Sequence, residues 1–278
     1  VSRIDLHVHS NVSDGKYTPD EIIRKAARIG LTHLALTDHD TIDGIVPAMK
    51  AAAAFPELRF IPGVEISTDV PDGEVHVLGY FIDYTSQELE ESLKRFRNSR
   101  LNRALGMVNK LGRLGIDIDW ERVREIAGDG TIGRPHIARA MLEKGYIETF
   151  TEAFDKYIGR DGPAYVEREK MMPEEAVALV IRSRGLPVMA HPFTTPEPEA
   201  MVARLKANGL VGIEAYYKDN TVAQTAALVK MADKYGLIAT GGSDYHGIDD
   251  SREVAMGGVD VPEEAVERLI AMAGENTG

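Results

Sequence analysis

The sequence predicts an α/β protein built on a parallel sheet, open or closed into a barrel, with a small helical subdomain inserted into it. Three observations carry this expectation. Apolar runs rich in β-branched residues alternate with helical patterns over much of the 278-residue chain. The alternation stops between about residue 86 and residue 170, where the pattern is mostly helical. The charge shifts in the same place: residues 88–170 carry 16 basic and 15 acidic side chains, against 16 and 29 elsewhere.

The elements follow in order. "RIDLHV" reads as the first strand, and "PDEIIRKAARIG" as a helix with Thr18 as N-cap, Pro19 at its first position and Gly30 as its stop. "LTHLALT", "RFIPGVEIS" and "EVHVLGYFI" read as three further strands. The insertion then brings helical patterns in "SQELEESLKRFRNSRLNRALGMVNKLGRLG", "DWERVREIAG", "RPHIARAMLEKG" and "TFTEAFDKYIG". From Lys94 to Arg113 it carries seven basic residues and no acid. Leu101, Leu105, Val108 and Leu111 repeat there at helical spacing, so that one face packs and the other is basic. The basic face is either a solvated surface or an electrostatic path for a short nucleotide chain. "LPVMA", "LVGIEAY" and "LIATGG" read as buried strands, separated by helical segments at 198–208 and 221–235, and a last helix follows Pro262. The expected division is a barrel domain from 1–85 and 171–278 with a helical insertion from 86–170.

Composition narrows the chemistry. Apolar residues make up 44% of the chain, enough for a sizeable core. There is no cysteine, so disulfides and thiolate metal sites are excluded and any metal must sit on His, Asp or Glu. A formal charge of −12 argues against long duplex nucleic acid and membrane surfaces as partners. Neither a signal-like opening nor a long apolar run is evident, and the expectation is a soluble, cytoplasmic protein.

Polar residues concentrate where parallel strands end. His7 and His9 end the first strand, and two-residue spacing in an extended chain points both imidazoles to one face. His39 follows the second strand, His191 follows "LPVMA", His246 follows "LIATGGSDY", and His76 lies inside "EVHVLGY". Asp14, Glu65 and Asp244 share these neighbourhoods. Strand C-termini of parallel α/β folds converge on the face where active sites lie. Six imidazoles and three carboxylates gathered there are the ligands that Zn²⁺, Mn²⁺ and Fe²⁺ share, and divalent cations relieve the mutual repulsion of clustered acids. His33, at a helix–strand junction, reads as an ordinary structural histidine.

The ordered motifs "DLHVHS", "SDG", "TDHD", "GVEI", "HPF" and "GSDYHG" resemble those of the PHP (polymerase and histidinol phosphatase) family of phosphoesterases. "IGRPHIARAM" and "GIEAYY" resemble its TrpH-like subgroup. The resemblance implies a distorted (β/α)7 barrel with two or three divalent metal ions (Mn²⁺, Zn²⁺ or Fe²⁺) at the strand C-termini. Carried over residue by residue, it implies His7, His9, Glu65 and Asp244 on a first ion, and Glu65, His76 and His191 on a second. Asp14, His39 and His246 would hold a third. It further implies a metal-bridging hydroxide held by Glu65 and its metals as nucleophile, and a small substrate such as a 3′,5′-bisphosphonucleoside or short RNA. No side chain stands out as general acid. Histidinol phosphate, or another small phosphomonoester, is the alternative substrate, and a metal-stabilised non-enzymatic module the alternative role.

Further contacts come from residue chemistry. Arg134 offers a planar fork for phosphate beside His136 at a helix start, with a structural cap as the competing role for the pair. Lys218, after a strand end, is a second phosphate contact. Tyr216 and Tyr217 either stack on a base or pack, and Lys16 and Tyr17 are entrance contacts. Asp38 and Asp40, flanking His39, are expected to orient imidazoles.

Overall fold

The computed structural model describes residues 3–70, 73–127, 132–167, 171–247 and 254–275. Seven strands lie in one sheet in sequence order: β1 (Ile4–Val8), β2 (His33–Leu36), β3 (Arg59–Val70), β4 (Gly73–Tyr80), β5 (Leu186–Met189), β6 (Gly212–Tyr217) and β7 (Ile238–Gly242). In chain order the α-helices among the described residues are α1 (Pro19–Arg28), α2 (Ile45–Ala52), α3 (Gln87–Arg113), α4 (Trp120–Ala127), α5 (Arg134–Glu143), α6 (Phe150–Ala153), α7 (Pro173–Arg182), α8 (Pro198–Lys206), α9 (Val222–Tyr235) and α10 (Glu263–Glu275). Thr18 caps α1 in a capping box with Glu21, and Gly30 ends it at φ +83°. α2 has no counterpart among the helices expected from the sequence. Pro47 falls in the first turn, where no intrahelical donor is needed.

The sheet is not wholly parallel, which corrects the simplest reading of the alternation. β1, β2 and β3 are parallel, as are β5, β6 and β7, but β4 runs antiparallel to both its neighbours. No helix separates β3 from β4, so they fold back as a hairpin, and the continuous apolar runs hid the reversal.

The sheet nearly closes. Beyond β7, Tyr245 N–H donates to the His7 carbonyl at 3.3 Å and His9 N–H donates to the Tyr245 carbonyl at 2.9 Å. The buried Asp5 carboxylate clasps the same seam, accepting from Ser243 N–H at 2.9 Å, Ser243 Oγ–H at 2.6 Å and Gly257 N–H at 2.8 Å. Gly242 makes this approach possible, since a Cβ there would lie 2.5 Å from both Cβ and N of His7.

Ile4, Leu186 and Ile238, which begin parallel strands, pack with Tyr80, which ends the reversed β4, and with Val266 and Leu269 of α10. A second core joins β1 and β2 to α1 and α2 through Val8, Leu34, Leu36, Ile22, Ile23 and Ala48. Among the described residues no helix is long and apolar enough to cross a membrane.

The chain divides into two compact units, Val1–Leu93 with Met171–Gly278, and Lys94–Lys170. The second begins inside α3 and has its own core, with Met107, Leu111, Val123, Ile137, Met141 and Ile158 buried. The packed face of α3 is offset from the one expected. Ala104, Met107, Val108 and Leu111 are buried, whereas Leu101 is 38% exposed.

Gly242→Ala should overpack the seam and lower the unfolding free energy by ~1–3 kcal/mol in urea titration. Gly112→Ala, where no atom lies within 4 Å of an added Cβ, should instead be neutral or stabilising. A Gly242→Ala protein as stable as the parent would contradict the packing described for the seam.

Candidate metal centre

The strand ends deliver the titratable residues to one place. His7 closes on His9 at 5.1 Å between ring centroids, and both are fully buried. His39 follows β2 and pairs by an isolated parallel bridge with Glu65 of β3. His76 lies within β4, yet reaches the same end of the barrel because β4 is reversed: its register partner is Ser67, two residues beyond Glu65. His191 follows β5, while Asp244 and His246 follow β7.

Glu65 is the node. Its carboxylate lies 2.8 Å from His76 Nδ1, 3.1 Å from His7 Nε2, 3.1 Å from His191 Nε2, 3.2 Å from His39 Nδ1 and 3.3 Å from His9 Nε2. Asp244 Oδ1 stands 3.2 Å from His9 Nε2 and 3.5 Å from His7 Nε2. Asp14 approaches His246 Nε2 at 3.3 Å, His9 Nδ1 at 3.6 Å and His39 Nε2 at 3.7 Å. Ligand atoms within 4.8 Å of one another form three groups: His7, His9, Glu65 and Asp244; His9, Asp14, His39 and His246; and His39, Glu65 and His76. The first group has the same four members as the set expected from the sequence. The other two share His9 and His39 more widely than expected. His191 belongs to none of the three and joins the site through Glu65.

The electrostatics fit a divalent metal centre. Burial works against ionisation of Glu65, but the surrounding imidazoles outweigh it and hold the carboxyl well below its ordinary range. Burial also opposes protonation of His9, yet Asp244, Glu65 and Asp14 lift it to about 10. Burial dominates at His39 and lowers it to about 4. Both ring nitrogens of the buried His9 lack a hydrogen-bond partner of good geometry although three carboxylates surround them. Such nitrogens suit a cation, which would satisfy a lone pair that these acids cannot.

Supporting contacts differ in part from expectation. Asp38 orients no imidazole directly. It accepts from Ser10 N–H at 2.7 Å, Ser10 Oγ–H at 2.7 Å and Ser13 Oγ–H at 2.8 Å, and so fixes the loop that carries Asp14. Asp40 likewise acts on backbone: its N–H donates to the Glu65 carbonyl at 2.9 Å, and Oδ1 accepts from Ser67 N–H at 2.9 Å. Lys218 Nζ sits 2.9 Å from Asp244 Oδ2 and donates to the Asp244 carbonyl at 3.0 Å, while Tyr217 O–H donates to the same Oδ2 at 3.0 Å. Tyr216 packs against the barrel core. Tyr17 lies parallel to Tyr245, with Lys25 Nζ 4.6 Å from each ring centroid, and the Lys16 N–H donates to the His246 carbonyl at 2.7 Å. In the other unit, His136 Nδ1 accepts from Gly133 N–H at 2.9 Å as a helix cap, and the Arg134 guanidinium lies 5.6 Å from the Phe154 ring centroid. His33, at the start of β2, contacts Thr32 Oγ1 at 3.1 Å and stays outside the cluster.

Two buried acids were missed. Asp5 clasps the seam, and Glu214 meets His7 Nδ1 at 2.9 Å and His191 N–H at 2.8 Å. Their signal was an acid inside an apolar strand, in "RIDLHV" and "GIEAY".

The PHP domain family matches residues 5–240. The chain belongs to this family. The 3′,5′-nucleoside bisphosphate phosphatase of Chromobacterium violaceum is 35% identical to this PHP chain over 251 residues, covering 88% of each. The 5′-3′ exoribonuclease Rnm of Escherichia coli is 31% identical over 247 residues, covering 87% of this chain and 84% of its own. A candidate metal-dependent phosphoesterase from Bifidobacterium adolescentis superposes with a TM-score of 0.76 at 28% identity, over 97% of this PHP chain and 96% of its own.

Asp38→Ala would strand three donors beneath the Asp14 loop. Unfolding in urea should show a loss of at least ~1–3 kcal/mol, larger than for Ser13→Ala, which removes only one donor. Equal losses would mean that Asp38 does not organise the loop.

Proposed function

We propose that this chain is a metal-dependent phosphoesterase that hydrolyses phosphate esters of nucleotides, either 3′,5′-bisphosphonucleosides or short oligoribonucleotides. The observation that carries this reading is the Glu65 node. One ionised carboxylate among five imidazoles, within overlapping ligand groups, suits two or three closely spaced dications. The names of the phosphatase and exoribonuclease relatives supply the substrate class.

In this reading His7, His9, Glu65 and Asp244 hold one ion, Glu65, His76 and His191 a second, and Asp14, His39 and His246 a third. The donors are nitrogen and oxygen only, which suits Mn²⁺, Zn²⁺ or Fe²⁺. Bound ions supply Lewis acidity toward a phosphoryl oxygen and an activated nucleophile at neutral pH. The protein's part is orientation. His7 and His9 form a buried floor, His39, His76, His191 and His246 are 12–18% exposed at the rim, and Asp14 is 39% exposed. The gradient supports approach of the ester from the Asp14 side. Lys218 and Tyr217, on the outer oxygen of Asp244, place a cation and a hydroxyl beside the floor, where a phosphate oxygen gains a charge-assisted contact.

A release assay on metal-loaded protein tests the substrate. Phosphate from a 3′,5′-bisphosphonucleoside, or mononucleotides from a short RNA, are expected well above phosphate from histidinol phosphate. Preference for histidinol phosphate would overturn the nucleotide reading, and bound metal without turnover of any ester would leave a structural module. Glu65→Ala should abolish hydrolysis and lower bound metal by elemental analysis, whereas His33→Ala should leave both nearly unchanged. Full activity and full metal in Glu65→Ala would remove Glu65 from the centre.

A further inference from the structure

A neutral imidazole can ligate through only one nitrogen, and the group facing the other nitrogen decides which one is free. His246 Nδ1 faces the carbonyl of Asp244 at 3.0 Å, and His191 Nδ1 faces Thr194 Oγ1 at 3.1 Å. His7 differs. Its Nδ1 meets a fully buried carboxylate, Glu214 Oε1, at 2.9 Å, while Nε2 points to Glu65 at 3.1 Å and Asp244 at 3.5 Å. The second oxygen of Glu214 accepts from the His191 N–H at 2.8 Å. His191 has a left-handed backbone, φ 28° and ψ 63°, in which this bond fixes its peptide.

We infer that Glu214 is a positioning residue that sets the tautomer of His7 and, through its other oxygen, the backbone of His191, so that one buried carboxylate aligns ligands belonging to two different ions. A carboxylate only accepts, so Nδ1 of His7 must carry a proton and Nε2 must present its lone pair toward Glu65 and Asp244. In that tautomer Nδ1 keeps its proton and Nε2 is the nitrogen that would hold an ion. Both oxygens of Glu214 are committed, and neither contact involves substrate. The inference rests on the metal-centre reading above but not on the nucleotide reading.

Glu214→Gln separates this role from simple packing because it preserves shape and reverses one polarity. The amide oxygen must accept from His191 N–H, so the amide NH₂ faces His7 Nδ1. His7 can then meet it only by moving its proton to Nε2, which removes the ligating lone pair. The opposite rotamer sets two donors against each other at His191. Chelator competition with Mn²⁺ or Zn²⁺ should therefore show affinity for one bound equivalent falling roughly 10–100-fold. Circular dichroism and the thermal midpoint of the metal-free variant should stay close to those of the parent. Parent-like affinity and stoichiometry in folded Glu214→Gln would overturn the assignment.

Imidazole ¹⁵N spectra of the zinc-loaded parent test the same claim without a variant. His7 should show a hydrogen-bonded Nδ1 proton and a metal-shifted Nε2, and a metal-shifted Nδ1 would overturn the assignment even if Glu214→Gln fails to fold. Failure of the metal-centre reading itself looks different, as a parent protein that retains no metal.

Discussion

Everything at the C-terminal end of this barrel is arranged around one carboxylate. Glu65 is buried, ionised and within 3.3 Å of imidazole nitrogens from five histidines carried by β1, β4 and the segments after β1, β2 and β5. An isolated carboxylate at that depth would be strongly disfavoured, and so would several clustered imidazolium ions. Together they compensate one another, which lets the barrel hold a charged interior without a cation. At His9 the charges compensate but the geometry does not, since its nitrogens face three acids without a hydrogen bond of good geometry. The site is thus electrostatically tolerable on its own and chemically completed by divalent metal.

Geometry rather than composition allows five rings to reach one acid. Parallel strands bring His7, His39 and His191 to the same end, and the reversal of β4 adds His76 from the middle of a strand. The nearly closed seam between β1 and β7 then adds Asp244 and His246. Asp5 and Gly242 belong to this seam, one supplying acceptors and the other supplying room. Core residues and residues of the candidate site or seam therefore alternate along the same short strand, Asp5 beside Leu6 and His7 beside Val8.

Much of this was legible in the sequence, because strand periodicity and ligand chemistry leave local signatures. The two-residue spacing of His7 and His9, and the acid in "GVEI", announce a shared face whatever the fold. What stayed hidden depends on partners distant in the chain. The direction of β4 is decided by hydrogen bonds to β3 and β5, which an apolar run does not encode. Glu214 could be seen as an anomalous acid in a strand, but its partners lie 207 and 23 residues away. Asp38 looks like an imidazole partner by adjacency to His39, yet its carboxylate accepts from Ser10 and Ser13 instead. His136 satisfies its own helix terminus, a local competition that a motif of residue types does not resolve.

Among the described residues, five other than glycine have positive φ, and three of them, Asp40, His191 and Asp244, stand at the mouth of the barrel. Left-handed backbone is tolerated best by Gly, Asn and Asp, and costs other residues roughly 1–3 kcal/mol. Positions 40 and 244 are therefore filtered twice, once by the chain path and once by the oxygen each must present. The alphabet that passes both filters is nearly reduced to Asp and Asn. An evolving or engineered chain can retune charge at these two places by a single amide exchange, but it has little freedom to install a longer acid such as Glu without first rebuilding the turn.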